Sequence, residues 1–374
     1  MAQHRRIGHF IETESFGGAE QVLIDLARFT KANSKTFSPI VLHFGNPWIV
    51  QQCEQHGIEQ LTIPYRHNFK SALRLPAFII QFSRWLRTNR IELLHSHLFG
   101  PVTGAAPAAF LARIPHVGTL HDVYMIEEKP KRILLVKLAA MLGTRLVTVS
   151  KDMERFYSNR MKFHGDRIRT IYNGVDSGQQ VSNSSPKDEF IDFGNDKGSV
   201  TVICVGRLVP LKRVEIVIKT IHALSKRYPV RLLIVGDGPE KNKLEELAGQ
   251  DRNQSIFFLG ARDDVPRWLS LSDIFIQYSS TEGLSRSILE AIALGLPAVV
   301  SDVGGNREIV LNKENGFVVP PSDEQALMNA LETLIQDDTM RKWFGVRSRE
   351  QAQAQFSRES NNQLYLNLYE KLVG

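Results

Sequence analysis

The feature that most constrains this chain is an alternation, sustained along its length, of short apolar runs with segments of helical periodicity. A short continuous apolar run makes a strand buried on both faces. Strands of that kind lie parallel and need crossover helices to join them, so the pattern predicts stacked βαβ units and open parallel sheets. The first unit is representative. Ile7 to Ile11 reads as a strand, Ser15 to Gly18 as a turn, and Ala19 to Phe29 as a helix with Val22, Leu23, Leu26 and Ala27 on one face. Further strands are expected at Ile40 to Phe44, Leu93 to Ser96, His116 to Leu120 and Leu146 to Val149, the last followed by Ser150 as a helix N-cap.

From Ser177 to Ser199 the chain turns polar and rich in turn formers. Beyond it the alternation resumes, with strands expected at Val200 to Val205, Arg231 to Val235, Ser255 to Leu259, Asp273 to Gln277 and Pro297 to Ser301. Domains average about 150 residues, so 374 residues fit two domains. The organisation expected is a Rossmann-like domain over 1–178, a linker over 179–199, and a second Rossmann-like domain over 200–355. A closing helix over 356–374 is expected to pack back toward the first domain.

Composition narrows the function classes. With 43% apolar and 23% charged residues the chain is globular, neither disordered nor fibrous. Its two cysteines, Cys53 and Cys204, form no disulfide framework or thiolate metal site and suit a reducing cytosol. No secretory signal is visible, because Glu12 and Glu14 interrupt the first apolar stretch. The most apolar window, Pro101 to Ala112, falls short of the roughly 20 residues a membrane-spanning helix needs. A net charge of +6 does not imply nucleic acid. It is unevenly spread, however: residues 1–180 hold 23 Lys and Arg against 14 Asp and Glu, and the remainder 23 against 26. Basic clusters at Arg66, Lys70, Arg74, Arg84, Arg87 and Arg90, and at Lys129, Lys131, Arg132 and Lys137, have two readings: solvated helix faces or a surface for anionic lipid or polyanion.

The most informative segment runs from Ser279 to Ala291. A strand ends at Gln277, Gly283 permits a tight turn, and a helix is expected to open near Leu284 or Ser285. Unpaired N–H groups at such a helix start suit a phosphate. Glu282 and Glu290 flank it, and two carboxylates beside a phosphate make sense if each takes sugar or ribose hydroxyls. Two solvated glutamates at an ordinary helix start is the competing reading. A second constellation follows the strand Val200 to Val205, where Arg207 and Lys212 emerge at the carboxyl end, the ligand-binding end of open α/β sheets. There they could neutralise a departing nucleoside diphosphate without a metal ion, or form an ordinary basic loop. His95 and His97 share one strand face, but with no third ligand evident no metal is expected.

These motifs stand in an order that resembles one family. Phe16-Gly17-Gly18-Ala19-Glu20, Thr119-Leu120-His121-Asp122, Tyr172-Asn173-Gly174-Val175-Asp176, Val205-Gly206-Arg207-Leu208 with Lys212, Val235-Gly236-Asp237-Gly238-Pro239, Glu282-x7-Glu290 and Ser301 to Glu308 follow one another as in the retaining glycosyltransferases of the GT-B fold, family 4. The resemblance covers nearly the whole chain. It implies two Rossmann-like domains with parallel sheets facing across a cleft. It also implies a nucleoside-diphosphate sugar as donor, UDP-linked, a lipid-linked or polysaccharide acceptor, and no cofactor or metal.

Carried over residue by residue, the resemblance makes Arg207 and Lys212 the diphosphate contacts, Glu290 the ribose contact and Glu282 the contact to the transferred sugar. Backbone around Gly283, Leu284 and Ser285 would complete the anion site, Ala261 would mark the base-reading segment, and Gly17 and Gly18 would approach the donor from the first domain. Glu20 is expected to cap or brace the first helix. His121 would line the site near the reacting sugar, with His97 and Asp122 as further acceptor-side candidates. His121, Glu282, Arg207 and Lys212 are the catalytic set.

Retention without an enzyme nucleophile implies that the incoming hydroxyl attacks on the face the nucleotide leaves. A cytoplasmic location, peripheral on the inner face of the membrane, is the expectation. A sugar-nucleotide epimerase of the same fold and a non-catalytic sugar-nucleotide-binding subunit are the alternatives. Two departures from the family pattern stand out: Leu284-Ser285-Arg286 after the Glu-Gly pair, with Arg286 a candidate for tuning donor choice, and Arg213 in place of a common glycine.

Overall fold

The computed structural model describes residues 4–14, 17–163, 167–176, 198–249 and 255–374. The turn residues Ser15 and Phe16 and most of the expected linker lie outside them. The described chain divides into two compact units, one comprising Met1–Gly174 with Arg358–Gly374, the other Val175–Ser357.

The first unit contains seven strands: β1 (Arg5–Phe10), β2 (Phe37–His43), β3 (Glu59–Thr62), β4 (Ile91–His97), β5 (His116–Leu120), β6 (Arg145–Thr148) and β7 (Ile168–Thr170). They form one sheet in the order β3-β2-β1-β4-β5-β6-β7 with every pairing parallel. The helix after β1 spans Gly18–Asn33 and buries Leu23, Leu26 and Ala27 of the expected stripe together with Ile24, whereas Val22 is only half-buried. Ser150 caps the helix Lys151–Met161 by accepting from the Met153 N–H.

One face of this sheet is completed by the end of the chain. The closing helix Arg358–Val373 places Tyr365, Leu366, Leu368 and Tyr369 in the same buried cluster as Ile7, Leu26, Phe37 and Leu93. The path into this helix is tight, since a Cβ on Gly174 would stand 2.3 Å from the Arg358 Cα. Arg358 in turn lies 3.6 Å from the buried Asp25 carboxylate.

The second unit holds β8 (Val200–Val205), β9 (Val230–Val235), β10 (Ile256–Gly260), β11 (Ile274–Gln277), β12 (Ala298–Ser301) and β13 (Gly316–Val319). Its sheet order is β10-β9-β8-β11-β12-β13, again parallel throughout. Alternating strand residues feed a core with Ile216, Ile218, Leu327 and Leu331 from the covering helices. The three strands the sequence does not announce, β3, β7 and β13, all stand at sheet edges. In both sheets the winding reverses beside the first strand of the unit, between β1 and β4 and between β8 and β11. Chain connections leave those strand pairs in opposite directions, and the gap at their carboxyl ends is where doubly wound sheets take ligands.

Candidate active site

At the carboxyl end of β8 the chain passes through Gly206 and Arg207 into a short 3-10 turn, Pro210–Lys212. At the end of β11 it passes through Gln277 and Ser279 to Glu282 and then the helix Arg286–Ala293. The reversal between these strands brings the two segments together. Lys212 Nζ lies 2.5 Å from Glu282 Oε1, and both side chains are largely buried. Gln277 Nε2 donates to the same oxygen at 2.7 Å. Gln277 Oε1 accepts from the hydroxyls of Ser285 at 2.8 Å and Ser287 at 2.9 Å.

The helix opens one residue later than its sequence indicates, with Ser285 as N-cap accepting from the Ile288 N–H. Gly283, Leu284 and Ser285 are buried, and Ile288, Leu289 and Ile292 anchor the helix in the core. The loop before it is braced from β12: the Gly305 N–H donates to the Gly283 carbonyl at 2.9 Å, and Ser301 Oγ donates to the Ser279 carbonyl at 2.7 Å.

The other residues expected on the donor side stand just past β8 and β10 and on the helix Arg286–Ala293. Arg207 is exposed, and its guanidinium makes no hydrogen bond or ion pair among the described residues. Arg286 turns to Glu290, with Nη2 to Oε1 at 3.1 Å across one helical turn. The cation singled out as a tuner of donor choice is therefore already neutralised by the carboxylate expected to meet the ribose. Ala261 is exposed, just beyond β10, while its neighbour Arg262 is held by Asp264 through a two-pronged contact at 2.8 and 3.1 Å. That Arg262 hydrogen bond, foremost among several causes, keeps the Asp264 carboxyl below its ordinary value.

Arg213 adopts φ +49, a left-handed conformation that glycine would take without strain. Its side chain offsets that strain by reaching the Pro321 carbonyl and lying 4.9 Å from the Tyr278 ring.

In the first unit the equivalent reversal gathers histidines. His9 pairs with His95 across β1 and β4, so both point to one face, and His97 follows two residues on. Ligating atoms of His9, His95 and His97 lie within 4.8 Å of one another and all three residues are fully buried. The third ligand that the sequence does not reveal is thus His9, brought in by strand order. Both nitrogens of His95 are already committed, to Tyr369 Oη at 2.6 Å and Thr119 Oγ1 at 2.8 Å, so only His9 and His97 keep an unpartnered nitrogen.

His121, just past β5, is half-buried, and its Nε2 lies 3.3 Å from His97 Nδ1. His97 therefore faces His121 rather than solvent. Burial lowers the pKa of His121 to about 4 and that of His9 to about 3, and holds His97 well below its ordinary value with His121 and His9 adding to the effect. All three rings are neutral at pH 7. Asp122 is exposed, and its carbonyl accepts from Tyr157 Oη at 2.9 Å. Gly17 is the N-cap of the first helix and Gly18 its exposed first residue. A Cβ on Gly17 would meet the carboxylate of the buried Glu20 at 3.1 Å.

Reasoning from sequence missed Gln277, Ser287 and His9. Only Gln277 left a trace, as a polar residue closing an otherwise apolar strand.

Two doubly wound units in tandem, each with polar residues gathered where its sheet reverses, define a tandem Rossmann-like α/β protein. Residues 187–351 match the family described as Glycosyl transferases group 1, and residues 16–179 match Glycosyltransferase Family 4. The chain belongs to the family 4 glycosyltransferases and has the GT-B fold.

It is 28% identical over 281 residues to an Escherichia coli UDP-Gal:α-D-GlcNAc-diphosphoundecaprenol α-1,3-galactosyltransferase, covering 70% of this chain and 71% of that one. It is 26% identical to the N-acetyl-α-D-glucosaminyl L-malate synthase of Bacillus anthracis, over 75% of each. Among solved structures, a Rickettsia africae glycosyltransferase superposes with TM-score 0.83 at 19% identity, over 99% of both chains. Anabaena HepE in complex with UDP-glucose gives 0.82 at 23% identity, over 99% of this chain and 100% of that one.

Proposed function

We propose that this glycosyltransferase moves a hexose-type sugar from a UDP-sugar to a lipid-linked or polysaccharide acceptor, with retention of anomeric configuration. The observation that carries the reading is the Lys212, Glu282 and Gln277 cluster at the reversal between β8 and β11. Cation and carboxylate stand side by side, as a donor carrying a diphosphate next to a neutral sugar requires. Lys212 and the unpaired Arg207 take up charge on the leaving diphosphate, aided by the positive end of the helix Arg286–Ala293. Glu282 accepts from sugar hydroxyls and Glu290, oriented by Arg286, from the ribose.

In the reacting step the bond from the anomeric carbon to the phosphate oxygen breaks, and a bond to the acceptor oxygen forms on the same face. The hydroxyl proton passes to the leaving phosphate. No protein nucleophile is needed. His121, neutral and fixed by His97, lines the acceptor side. The choice of UDP and of a lipid-linked acceptor is supported by the relatives that handle them, the Escherichia coli galactosyltransferase and Anabaena HepE.

A membrane-peripheral setting is part of the proposal. Among the described residues no helix is long and apolar enough to cross a membrane. The helix Ile133–Met141 exposes Leu134, Leu135, Leu138 and Met141, and the neighbouring helix Phe99–Ala112 exposes Phe110 and Leu111. Lys129, Lys131 and Lys137 flank this apolar face. The other basic cluster is partly neutralised, because Arg66 pairs with Glu14 and Lys70 with Glu12. The face around Ile133–Met141 is therefore the better match to anionic lipid.

A thermal-shift panel of UDP-, GDP- and ADP-sugars tests the donor assignment. A UDP-hexose is expected to raise Tm in a concentration-dependent way, by mass action on the folded state. Stabilisation by another nucleotide alone, or by none, would overturn it.

A further inference from the structure

We infer that Gln277 is a positioning residue for donor-sugar recognition: its amide fixes which oxygen of Glu282 is free to receive a sugar hydroxyl. This rests on the reading of Glu282 as the sugar contact.

Gln277 is 2% exposed and sits at the last position of β11, where the strand's own pairing fixes the backbone. Its side chain has three polar contacts, each assigned by chemistry. A carboxylate only accepts, so the amide NH2 must face Glu282 and the amide oxygen must face away. The oxygen then meets Ser285 and Ser287, hydroxyls able to donate to it at 2.8 and 2.9 Å. Turning the amide over would set its oxygen against the Glu282 carboxylate.

The consequence lies on Glu282. Oε1 accepts from both Lys212 and Gln277, whereas Oε2 accepts no hydrogen bond among the described residues. One oxygen is saturated by protein, and the other is an acceptor held in a fixed direction. Such an oxygen recognises a donor, a neutral hydroxyl, and repels a carboxylate of a uronic acid. Lys212 alone could not impose this, because an ammonium on a flexible stem is a point charge that either oxygen could satisfy. Ser285 is also the N-cap of the helix expected to hold the diphosphate, so the same amide ties the sugar contact to the phosphate contact.

The test compares affinities for UDP and for whichever of UDP-glucose, UDP-galactose and UDP-GlcNAc gives the largest thermal shift, measured by calorimetry on the full chain. Gln277→Leu is expected to lower the ratio of UDP-sugar to UDP affinity five- to tenfold, and Glu282→Gln to lower it at least as much. Gln277→Glu supplies a nearly isosteric second variant if Gln277→Leu fails to fold. At pH 8 the introduced carboxylate faces Glu282 and the ratio falls; toward pH 6 its protonated form donates as the amide did, and the ratio recovers. A merely structural role would lower stability and leave the ratio of UDP-sugar to UDP affinity intact. If Glu282→Gln lowers the ratio and neither Gln277 variant does, the inference about Gln277 is wrong while the Glu282 reading stands. If Glu282→Gln also leaves the ratio intact, both fall.

Discussion

Gly304 approaches Glu282 so closely that a Cβ added to Gly304 would lie 1.9 Å from the Glu282 carbonyl oxygen. The loop after β12 thus forms the floor under the loop that carries the proposed sugar contact. The neighbouring bond from the Gly305 N–H to the Gly283 carbonyl fixes its height.

Gly304→Ala is accordingly expected to act at a distance from its own side chain. The residue has φ +52, so the substitution combines left-handed strain with a clash against backbone, which cannot swing aside as a side chain can. A stability loss of about 2–3 kcal/mol is expected. Donor-dependent turnover should fall at least about tenfold, since small misplacements of positioning groups are costly. Urea unfolding together with a UDP-release assay would measure both, and unchanged turnover would show that the Glu282 loop does not need this support.

Lys212→Ala and Glu282→Gln should each reduce transfer about 100-fold or more, the scale on which a single preorganised electrostatic contact acts. Their effects on stability should differ. Glu282→Gln keeps acceptors for Lys212 and Gln277 and should shift Tm by no more than a few degrees. Lys212→Ala removes the cation from a carboxylate that is 11% exposed, and should cost about 1–3 kcal/mol. Wild-type turnover in either purified variant would remove these residues from the site.

The histidine row predicts an acid-sensitive first unit. Burial lowers the pKa of His9 and of His116 to about 3 and that of His121 to about 4, against an ordinary 6.5 in the unfolded chain. Between those values the unfolded chain binds protons that the folded chain refuses. Stability is therefore fully present above pH 6.5 and declines as pH falls toward 4. His9→Leu removes one such ring, whose two nitrogens have no partner among the described residues. It should leave stability at pH 7 equal or higher and flatten the decline by up to about 1.4 kcal/mol per pH unit. Urea titrations at pH 7, 6 and 5 would decide, and an unaltered slope would place the acid sensitivity elsewhere.

Leu134→Glu combined with Leu138→Glu should weaken binding of the full chain to vesicles containing phosphatidylglycerol at least about tenfold, since each change replaces exposed apolar area with a charge the lipid repels. Wild-type binding should fall with added salt. Co-sedimentation is sufficient, and failure of the wild-type chain to bind at low salt would end the membrane reading without touching the transferase reading.

How much of this was legible in the sequence depended on where each residue stands in its sheet. Interior strands such as Leu93–Ser96 and Val200–Val205 need apolar side chains on both faces and so declare themselves. Glu59–Thr62 and Ile168–Thr170 stand at sheet edges, one of them largely polar and the other three residues long, and neither has a run to read. Gly316–Val319, the edge strand of the second sheet, is short and opens on glycine. Lys212 and Glu282 could be placed because each follows a strand end, which is a local property. His9 could not be joined to His95 and His97, because the adjacency of β1 and β4 is set by the order of the whole sheet. Gln277 was visible only as a strand residue, since its role depends on two serines beyond a turn.

The closing helix carries a consequence for the making of the protein. Ile7, Leu26, Phe37 and Leu93 wait for Tyr365 to Tyr369, a partner that is translated only after the whole of the second unit. At about 5–20 residues per second, that leaves the first sheet's apolar face uncovered for roughly ten to forty seconds or more after Gly174 has been joined to the chain. Val175–Ser357, contiguous in the chain, has no such delay and is free to mature first. A premature stop just before Tyr365 would thus injure the first unit, exposing strands translated long before it to aggregation while the second unit remained sound.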